Sequence, residues 1–276
     1  MKLSLSTRVA EAPRRKDLAL MGLADLAALA ASAGYRGLSM RASQVGLHST
    51  AEEVRAARAA IDAAGLAVSM VTAEYEVPAN TERAGVALRQ IGRHLDLAQA
   101  LGGDLVRVGM KALSDIPWAR RAADEAAERG MRLAHQLHVC TLFESVEQSL
   151  RVVREVGRPN FGLTYEPSNL LVCGEDYGEA TLRAIAPHLF NVYLQNIAPR
   201  PGGPNTIETW VNGPVAYDLV DFGDPRGIDF PRVMAGLEAV GYDGWVTVHQ
   251  NVANGTDIAA GSRAIAGYLR SIARFD

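Results

Sequence analysis

Cysteine is scarce in this sequence. Cys140 and Cys173 are the only two cysteines in 276 residues, too few for a disulfide framework or a thiolate metal set, so we expect two small, partly buried hydrophobic side chains. No run of about 18 apolar residues occurs, which argues against a membrane-spanning helix. The first residues lack the apolar core of a signal peptide. We therefore expect a cytoplasmic protein that does not associate with membranes.

An excess of charge of one sign is also missing. The formal net charge is -3, and basic and acidic residues are mixed along the chain. Without a basic stripe, nucleic acid is not an expected partner. Hydrophobic residues make up 48% of the chain, enough for an extensive core although aromatic residues contribute only 6%.

Short apolar runs alternate with stretches of helical periodicity, a pattern typical of repeated βα units. The predicted strands are 2–6, 37–41, 67–72, 105–109, 132–136, 161–165, 190–195 and 245–249. The predicted helices are 23–33, 51–64, 81–101, 118–129, 145–156, 230–240 and 258–272. Eight strands close a barrel, so we predict an α/β protein with the (β/α)₈ TIM barrel fold, as a single domain over residues 1–276.

Two further features support and extend this prediction. A glycine directly follows several predicted helices, as expected for helix ends: Gly34, Gly65, Gly130, Gly157 and Gly241. Residues 196–227 are rich in proline and glycine and predict a long irregular loop after strand seven. This loop would lie on the face of the barrel where active sites occur.

Polar side chains occur at the ends of predicted strands five to eight. Strands buried on both faces tolerate such residues chiefly where they serve a site. The four strand ends contain His135, Gln136 and His138; Tyr165, Glu166 and Asn169; Tyr193 and Gln195; and His249. The earlier strands contribute Arg41, Glu74 and Arg107. Each residue alone could be a hydrogen-bonded strand end, but their joint occurrence predicts one convergent site.

Two details of this cluster can be refined from the pattern. Side chains alternate along a strand, so His135 and Gln136 point in opposite directions, and His138 is the expected companion of Gln136. Arg107 could bind a carboxylate or phosphate of a substrate, or form an internal ion pair.

Several segments resemble the xylose isomerase-like barrel superfamily of sugar isomerases and epimerases, over nearly the whole chain. The most specific are Gly227-Ile-Asp-Phe-Pro231 and Leu237-Glu-Ala-Val-Gly241-Tyr-Asp-Gly-Trp-Val-Thr-Val248. Residues 33–38, 101–108 and 130–138 support the resemblance.

The resemblance implies a divalent cation held by Glu, Asp, His or Gln, and Glu from strands five to eight. The matching residues here are Gln136, Glu166, Gln195 and His249. Asn169 and Tyr193 likewise stand where histidines are common in the family. One carboxylate thus replaces three. The set could still hold Mn²⁺, Mg²⁺, Zn²⁺ or Co²⁺, and absence of a metal is equally compatible with the sequence.

The implied activity is isomerisation or epimerisation of a sugar, keto-sugar or related polyol by proton abstraction next to a carbonyl. Glu166, His249 and His138 are the predicted catalytic residues. The predicted substrate-binding residues are Arg41, Glu74, Arg107, Tyr193 and Asn169. The replaced ligands leave two alternatives open, a lyase or dehydratase and a non-catalytic ligand-binding or partner barrel. The expected partner is a small carbohydrate-like molecule, with homo-oligomerisation open; DNA-repair endonuclease activity is disfavoured because the metal ligands are missing.

Overall fold

Eight parallel strands close into a barrel in the computed structural model, which describes residues 1–13, 15–251 and 257–276. In chain order they are β1 (Lys2–Ser6), β2 (Gly37–Arg41), β3 (Ala67–Thr72), β4 (Leu105–Val108), β5 (Arg132–Gln136), β6 (Phe161–Tyr165), β7 (Leu189–Leu194) and β8 (Trp245–Val248). Strands adjacent in sequence are adjacent in the barrel, and β1 pairs with both β2 and β8. The predicted (β/α)₈ fold is confirmed.

Helices surround the barrel. The α-helices are Leu23–Ser32, Ala51–Ala63, Glu76–Ala79, Val86–Arg89, Ile91–Ala100, Ile116–Glu128, Val146–Val156, Pro167–Val172, Glu179–Ile185, Phe230–Ala239 and Ile258–Ile272, with short 3₁₀ turns at Thr7–Ala10, Leu113–Asp115 and Ala186–His188. Their ends follow from the local sequence. Thr50 and Glu53 form a reciprocal capping box, and Gly157 ends a helix at φ 61°, where a side chain would be strained. In the described residues, no helix has the length and apolar content to cross a membrane.

Side chains from non-adjacent strands contact one another and fill the interior of the barrel. The hydroxyls of Ser4 and Ser69 lie 2.7 Å apart, and Tyr193 belongs to a buried cluster with Met70. The Tyr193 hydroxyl lies 2.8 Å from Ser39 Oγ. The barrel is therefore closed below the level of Tyr193, and a ligand can bind only at its mouth.

Two small sheets lie outside the barrel and were not predicted. Glu11–Ala12 pairs with Arg15–Ala19 after β1. Residues 196–227, predicted as an irregular loop, contain an antiparallel sheet of Ile197–Pro199, Asn205–Thr209 and Gly213–Leu219. That part of the prediction is corrected: cross-strand pairing satisfies the backbone groups of this segment despite its proline and glycine content.

This three-stranded sheet is fixed over the loops after β5 and β6. The backbone N–H of Trp210 donates to both oxygens of the buried Glu144 carboxylate, at 2.8 and 3.0 Å. Asn212 Nδ2 donates to the carbonyl of Val172 at 2.9 Å, and Ile197 packs against Val172. The sheet therefore forms a wall beside the mouth of the barrel.

The helical predictions need two corrections. The predicted helix 81–101 is divided into Val86–Arg89 and Ile91–Ala100, because Gln90 lies outside helical geometry at φ −125°. Between β6 and β7, where no helix was predicted, the chain forms Pro167–Val172 and Glu179–Ile185. The first of these begins directly after Glu166 and places that residue at the end of β6.

Candidate active site

A cavity of about 460 Å³ opens at the carboxyl ends of the barrel strands. Side chains at the ends of five strands line it: Arg41, Arg107, Gln136, Gln195 and His249. The three-stranded sheet contributes a further wall through Ile207 and Tyr217. The cavity thus lies on the face where TIM barrel active sites form.

Glu166 lies between two amide side chains at the floor of this cavity. It is fully buried, and its two carboxylate oxygens accept hydrogen bonds from Gln136 Nε2 and Gln195 Nε2. Ser168 Oγ donates a third hydrogen bond at 3.3 Å. Burial raises the pKa of Glu166 above its ordinary value, and the hydrogen bond from Gln195 opposes only part of that rise. Glu166 is therefore a carboxylate with increased proton affinity. The amides of Gln136 and Gln195 must rotate away before its oxygens can contact a substrate.

His249 directly follows β8 at the mouth of the barrel. Its Nδ1 lies 2.9 Å from Ser6 Oγ, and its ring stacks on Tyr193 with centroids 3.7 Å apart. Burial lowers the pKa of His249 well below its ordinary value, and the nearby arginine charges lower it further. His249 is therefore a neutral imidazole that can exchange hydrogen bonds but is a poor proton donor at neutral pH.

His135 and His138 have different environments, as strand alternation predicts. His138 lines the cavity and donates from Nδ1 to the carbonyl of Val139 at 3.0 Å. Burial lowers the pKa of His138 to about 3, so it too is neutral. His135 stacks on Phe143 and accepts a hydrogen bond from the backbone of Met110, away from the cavity. Of these two histidines, only His138 is available to a ligand in the cavity.

In the part of the chain that the structure describes, five basic side chains line the cavity: Arg8, Lys16, Arg41, Arg107 and Lys111. Arg41 is paired with the buried carboxylate of Glu11 through two hydrogen bonds of 2.6 and 3.0 Å. Lys111 Nζ donates to Glu82 at 2.7 Å. Among the described residues, the other three form no ion pair with a carboxylate. The cavity is therefore electropositive, although the formal net charge of the whole chain is -3.

Arg107 is, like Arg41, almost fully buried. It extends from β4 with 3% of its surface exposed, and its guanidinium lies 5.9 Å from the centroid of the Tyr193 ring. Its Nε and Nη1 atoms are buried without a hydrogen-bond partner in the part of the chain that the structure describes. Burial lowers the pKa of Arg107 to about 10, which leaves it charged at neutral pH. The predicted alternative of an internal ion pair applies to Arg41 instead.

Most of the predicted site residues come together. The cavity is lined by Arg41, Arg107, Gln136, His138, Asn169, Gln195 and His249, with Glu166 directly beneath the amides. Two predicted substrate-binding residues are not on the lining. Tyr193 is fully buried beneath His249, and Glu74 is not part of the lining, although Pro78 and Ala79 of the helix that follows it are. Tyr193 therefore supports the site, and Glu74 does not reach the cavity lining.

Arg8, Lys16 and Lys111 line the cavity but were not predicted from the sequence as site residues. Arg8 follows the end of β1 by two residues, so the same search of strand ends that found His249 could have found it. Lys16 lies on the short strand Arg15–Ala19 outside the barrel, and Lys111 lies in the loop after β4. Their approach to the cavity depends on loop geometry that strand periodicity does not encode.

The four predicted metal ligands do not suit a divalent cation. Glu166 is the only carboxylate among them, and both of its oxygens accept hydrogen bonds from the amides of Gln136 and Gln195. Within residues 1–13, 15–251 and 257–276, no three His, Cys, Asp or Glu side chains are grouped so that they could hold a metal ion. The charges of Arg8 and Arg107 act on Glu166 and oppose the rise of its pKa that burial causes. A divalent ion bound to Glu166 would therefore be repelled by two cations and attracted by one carboxylate.

The closed parallel barrel with a polar cavity at the carboxyl ends of its strands defines a TIM barrel protein with its site in the usual place. The chain belongs to the xylose isomerase-like TIM barrel family, whose model matches residues 27–272. Members of this family include epimerases, isomerases and dehydratases.

One curated relative is the inosose dehydratase of Geobacillus thermodenitrificans (strain NG80-2), which is 28% identical over 133 residues. That alignment covers 46% of this chain and 43% of the dehydratase, so it spans less than half of either protein.

Solved structures confirm the fold. The probable 3-DHS dehydratase from Bacillus anthracis aligns with a TM-score of 0.72 and 15% identity, over 98% of this chain and 99% of that chain. D-allulose 3-epimerase from Methylomonas sp. aligns with a TM-score of 0.71 and 16% identity, over 99% and 97% respectively. At such identities the likeness concerns the fold alone, and the reaction has to be argued from the site.

Proposed function

We propose that this protein is an enzyme that removes a proton from a carbon next to the carbonyl of a keto-sugar or related keto-polyol, with Glu166 as the base. The single observation that carries the proposal is the buried Glu166 carboxylate, whose pKa is raised and whose oxygens are bracketed by the amides of Gln136 and Gln195. A raised proton affinity suits a general base, because a stronger base removes a weakly acidic proton more readily.

The surrounding groups have complementary tasks in this proposal. When the amides of Gln136 and Gln195 turn from Glu166 to the substrate, their N–H groups donate to the carbonyl oxygen as it gains negative charge. The neutral imidazoles of His138 and His249 hold substrate hydroxyls, since each lies at the cavity with a lowered pKa. Because the donor set does not suit a divalent cation, no step depends on one.

Glu166 is the one carboxylate among the strand-end residues of the described site, with Glu208 on the outer sheet, and this favours dehydration over epimerisation. In dehydration, Glu166 takes the proton next to the carbonyl, the electron pair forms the new double bond, and the β-hydroxyl leaves with the proton that Glu166 returns, as water. Atoms and charge balance with one base. Epimerisation needs a second group that returns the proton to the opposite face, and the neutral His249, with its lowered pKa, is a poor donor for that step.

Isomerisation through an enediol is the second candidate. One base can move a proton between adjacent carbons on the same face, and the two amides that flank Glu166 could each donate to one of the neighbouring oxygens. The similarity to inosose dehydratase supports the first candidate. Both candidates begin with the same proton abstraction by Glu166.

The test is turnover of a panel of keto-sugars and keto-polyols, each in an uncharged, a carboxylate and a phosphate form. NMR detects the unsaturated product of dehydration as well as isomers. Glu166→Gln should lower kcat by about 10² to 10⁴-fold, the usual contribution of a positioned base. Glu155→Gln, at an exposed position on the helix Val146–Val156, is the matched control and should retain activity. Equal turnover by the Glu166→Gln variant would remove Glu166 from the mechanism, and no turnover by the wild type would favour a binding role.

A further inference from the structure

We infer that the substrate bears an anionic group, a carboxylate or a phosphate, which Arg107 binds together with Arg8 and Lys16. This inference names the substrate class of the reaction proposed above and rests on that proposal. It starts from the three cavity cations that form no ion pair with a carboxylate among the described residues. The residues outside the description, Arg14 and 252–256, include no acidic side chain that could supply the missing partner.

Arg107 supplies the strongest observation. Two of its nitrogen atoms, Nε and Nη1, are buried and have no hydrogen-bond partner among residues 1–13, 15–251 and 257–276, although the side chain lines the cavity. A buried guanidinium without acceptors is costly, because it has lost water and gained nothing in return. A carboxylate or phosphate offers two oxygens in the planar geometry that a guanidinium fork matches. An anionic ligand would therefore satisfy atoms that the protein leaves unsatisfied.

The pairing of Arg41 provides an internal comparison. Arg41 also lines the cavity and is equally buried, yet Glu11 satisfies it through two hydrogen bonds, and Ser43 supports Glu11 at 2.8 Å. Of these two buried arginines, the protein thus neutralises Arg41 and leaves Arg107 without a carboxylate partner. The contact of Arg107 with the Tyr193 ring is a weaker interaction and leaves the N–H groups without acceptors.

Glu166 does not replace the missing partner. Its charge acts on both Arg8 and Arg107, but its oxygens accept their hydrogen bonds from Gln136 and Gln195. If Glu166 is the base, it must also be able to take up a proton during turnover, and it then no longer offsets a positive charge. An anionic group on the substrate provides a permanent counter-charge.

Lys16 provides an independent indication of the same kind. Its Nζ donates to the carbonyl of Pro78, an uncharged partner, at the rim of the cavity. Burial is the main cause that lowers the pKa of Lys16 to about 7, and the charges of neighbouring arginines act in the same direction. Lys16 is therefore only partly protonated at neutral pH, and a bound carboxylate or phosphate would favour its charged form by offsetting the arginine charges.

Anion binding can be measured by isothermal titration calorimetry without knowledge of the substrate. The probes are inorganic phosphate and malonate, with glycerol as an uncharged comparison, on the full chain at low salt. We expect wild-type protein to bind at least one of the two anions and Arg107→Met to weaken that binding by about tenfold or more, as expected for the loss of a charged hydrogen-bonding group. Preference for phosphate or for malonate identifies which oxyanion the site takes. Arg158→Met, on a partly exposed arginine that pairs with Asp124 and is not part of the cavity lining, is the control and should bind like wild type.

Two further comparisons prevent a folding defect from deciding the result. Circular dichroism reports whether Arg107→Met is folded, and Lys16→Met, at a partly exposed position, should weaken anion binding even if Arg107→Met does not fold. Arg107→Lys, which keeps the charge but loses the fork, should bind with intermediate affinity.

Wild-type protein that binds neither anion, or folded Arg107→Met and Lys16→Met variants that bind as wild type does, would overturn the inference. Its failure is distinguishable from failure of the proposed function. Glu166-dependent turnover of uncharged substrates that is unaffected by Arg107→Met would refute only the anionic class. Anion binding that depends on Arg107, without turnover of any substrate in the panel, would refute only the enzymatic proposal.

Discussion

The imidazole of His249 stacks on the phenol ring of Tyr193, with centroids 3.7 Å apart and ring planes 9° apart. The Tyr193 hydroxyl is in turn fixed by Ser39 at 2.8 Å, so the chain of contacts extends across the barrel to β2. This arrangement holds the His249 ring in one orientation at the cavity. It also buries the ring, which determines its protonation state.

His249 should stay neutral throughout the physiological range. Burial lowers the pKa of His249 well below its ordinary value, and Arg8, Arg41, Arg107 and His138 act in the same direction. We therefore expect the imidazole ¹⁵N shifts of His249 to stay constant between about pH 5 and 8, a range in which an unperturbed histidine titrates. The His249→Gln variant assigns the resonances. A titration of His249 with a midpoint near neutrality would contradict the buried geometry.

The acidic side of the pH–rate profile should report Glu166. Burial raises the pKa of Glu166 above its ordinary value, and only its deprotonated form can accept a proton from substrate. Activity should therefore fall as the pH decreases through this raised pKa, at a higher pH than for a solvent-exposed glutamate. Rates of wild type measured from about pH 4 to 8 test this. A profile that stays flat down to the ordinary glutamate range would contradict the raised proton affinity.

The buried pair Arg41–Glu11 should behave as a coupled unit in stability. Only 3% and 4% of the two side chains are exposed, so replacing one partner leaves an uncompensated buried charge. Arg41→Met should lower the free energy of unfolding by about 3 to 5 kcal/mol. The double variant Arg41→Met/Glu11→Leu should recover most of that loss, because no buried charge remains.

Chemical denaturation with a double-mutant cycle measures this coupling. Arg158→Met is the matched control, since Arg158 pairs with Asp124 on the surface and should contribute little. Additive effects of the two single substitutions at Arg41 and Glu11 would show that the pair is not coupled.

Divalent metal should be absent from the purified protein and unnecessary for turnover. Glu166 provides one carboxylate, and the adjacent charges are those of Arg8 and Arg107, which repel a cation. Mass spectrometry of protein purified without an affinity tag should find no near-stoichiometric Mn, Mg, Zn or Co, and EDTA should leave activity unchanged. A stoichiometric metal that is lost in Glu166→Ala would refute this part of the account and restore the ligand set that the family resemblance implies.

The sequence predicted those parts of the fold that depend on periodicity. The eight barrel strands were placed to within one residue, and Gly157 ends its helix in the left-handed geometry expected for a glycine there. Buried parallel strands are continuous apolar runs, and each helix buries a regular stripe of residues, so both leave a local signal.

The parts that were missed depend on contacts distant in sequence. The sheet that includes Gly213–Leu219 is fixed by Glu144 and by loops after β5 and β6, none of which can be read from residues 196–227 alone. The strand ends indicated Glu166, Gln136 and Gln195, and the structure brings these three side chains into contact. The strand ends did not indicate Lys16, which reaches the cavity from a short strand outside the barrel.

Removal by Glu166 of the proton next to a carbonyl can be measured through hydrogen exchange at that carbon. The substrate panel is incubated with enzyme in D₂O, and ¹H NMR follows loss of the signal of the proton next to the carbonyl, whatever the final product. We predict exchange or elimination with at least one anionic keto-sugar for wild type and for Glu155→Gln, and a reduction of about 10² to 10⁴-fold for Glu166→Gln. Exchange at an equal rate in Glu166→Gln, or none with any member of the panel, would contradict the account.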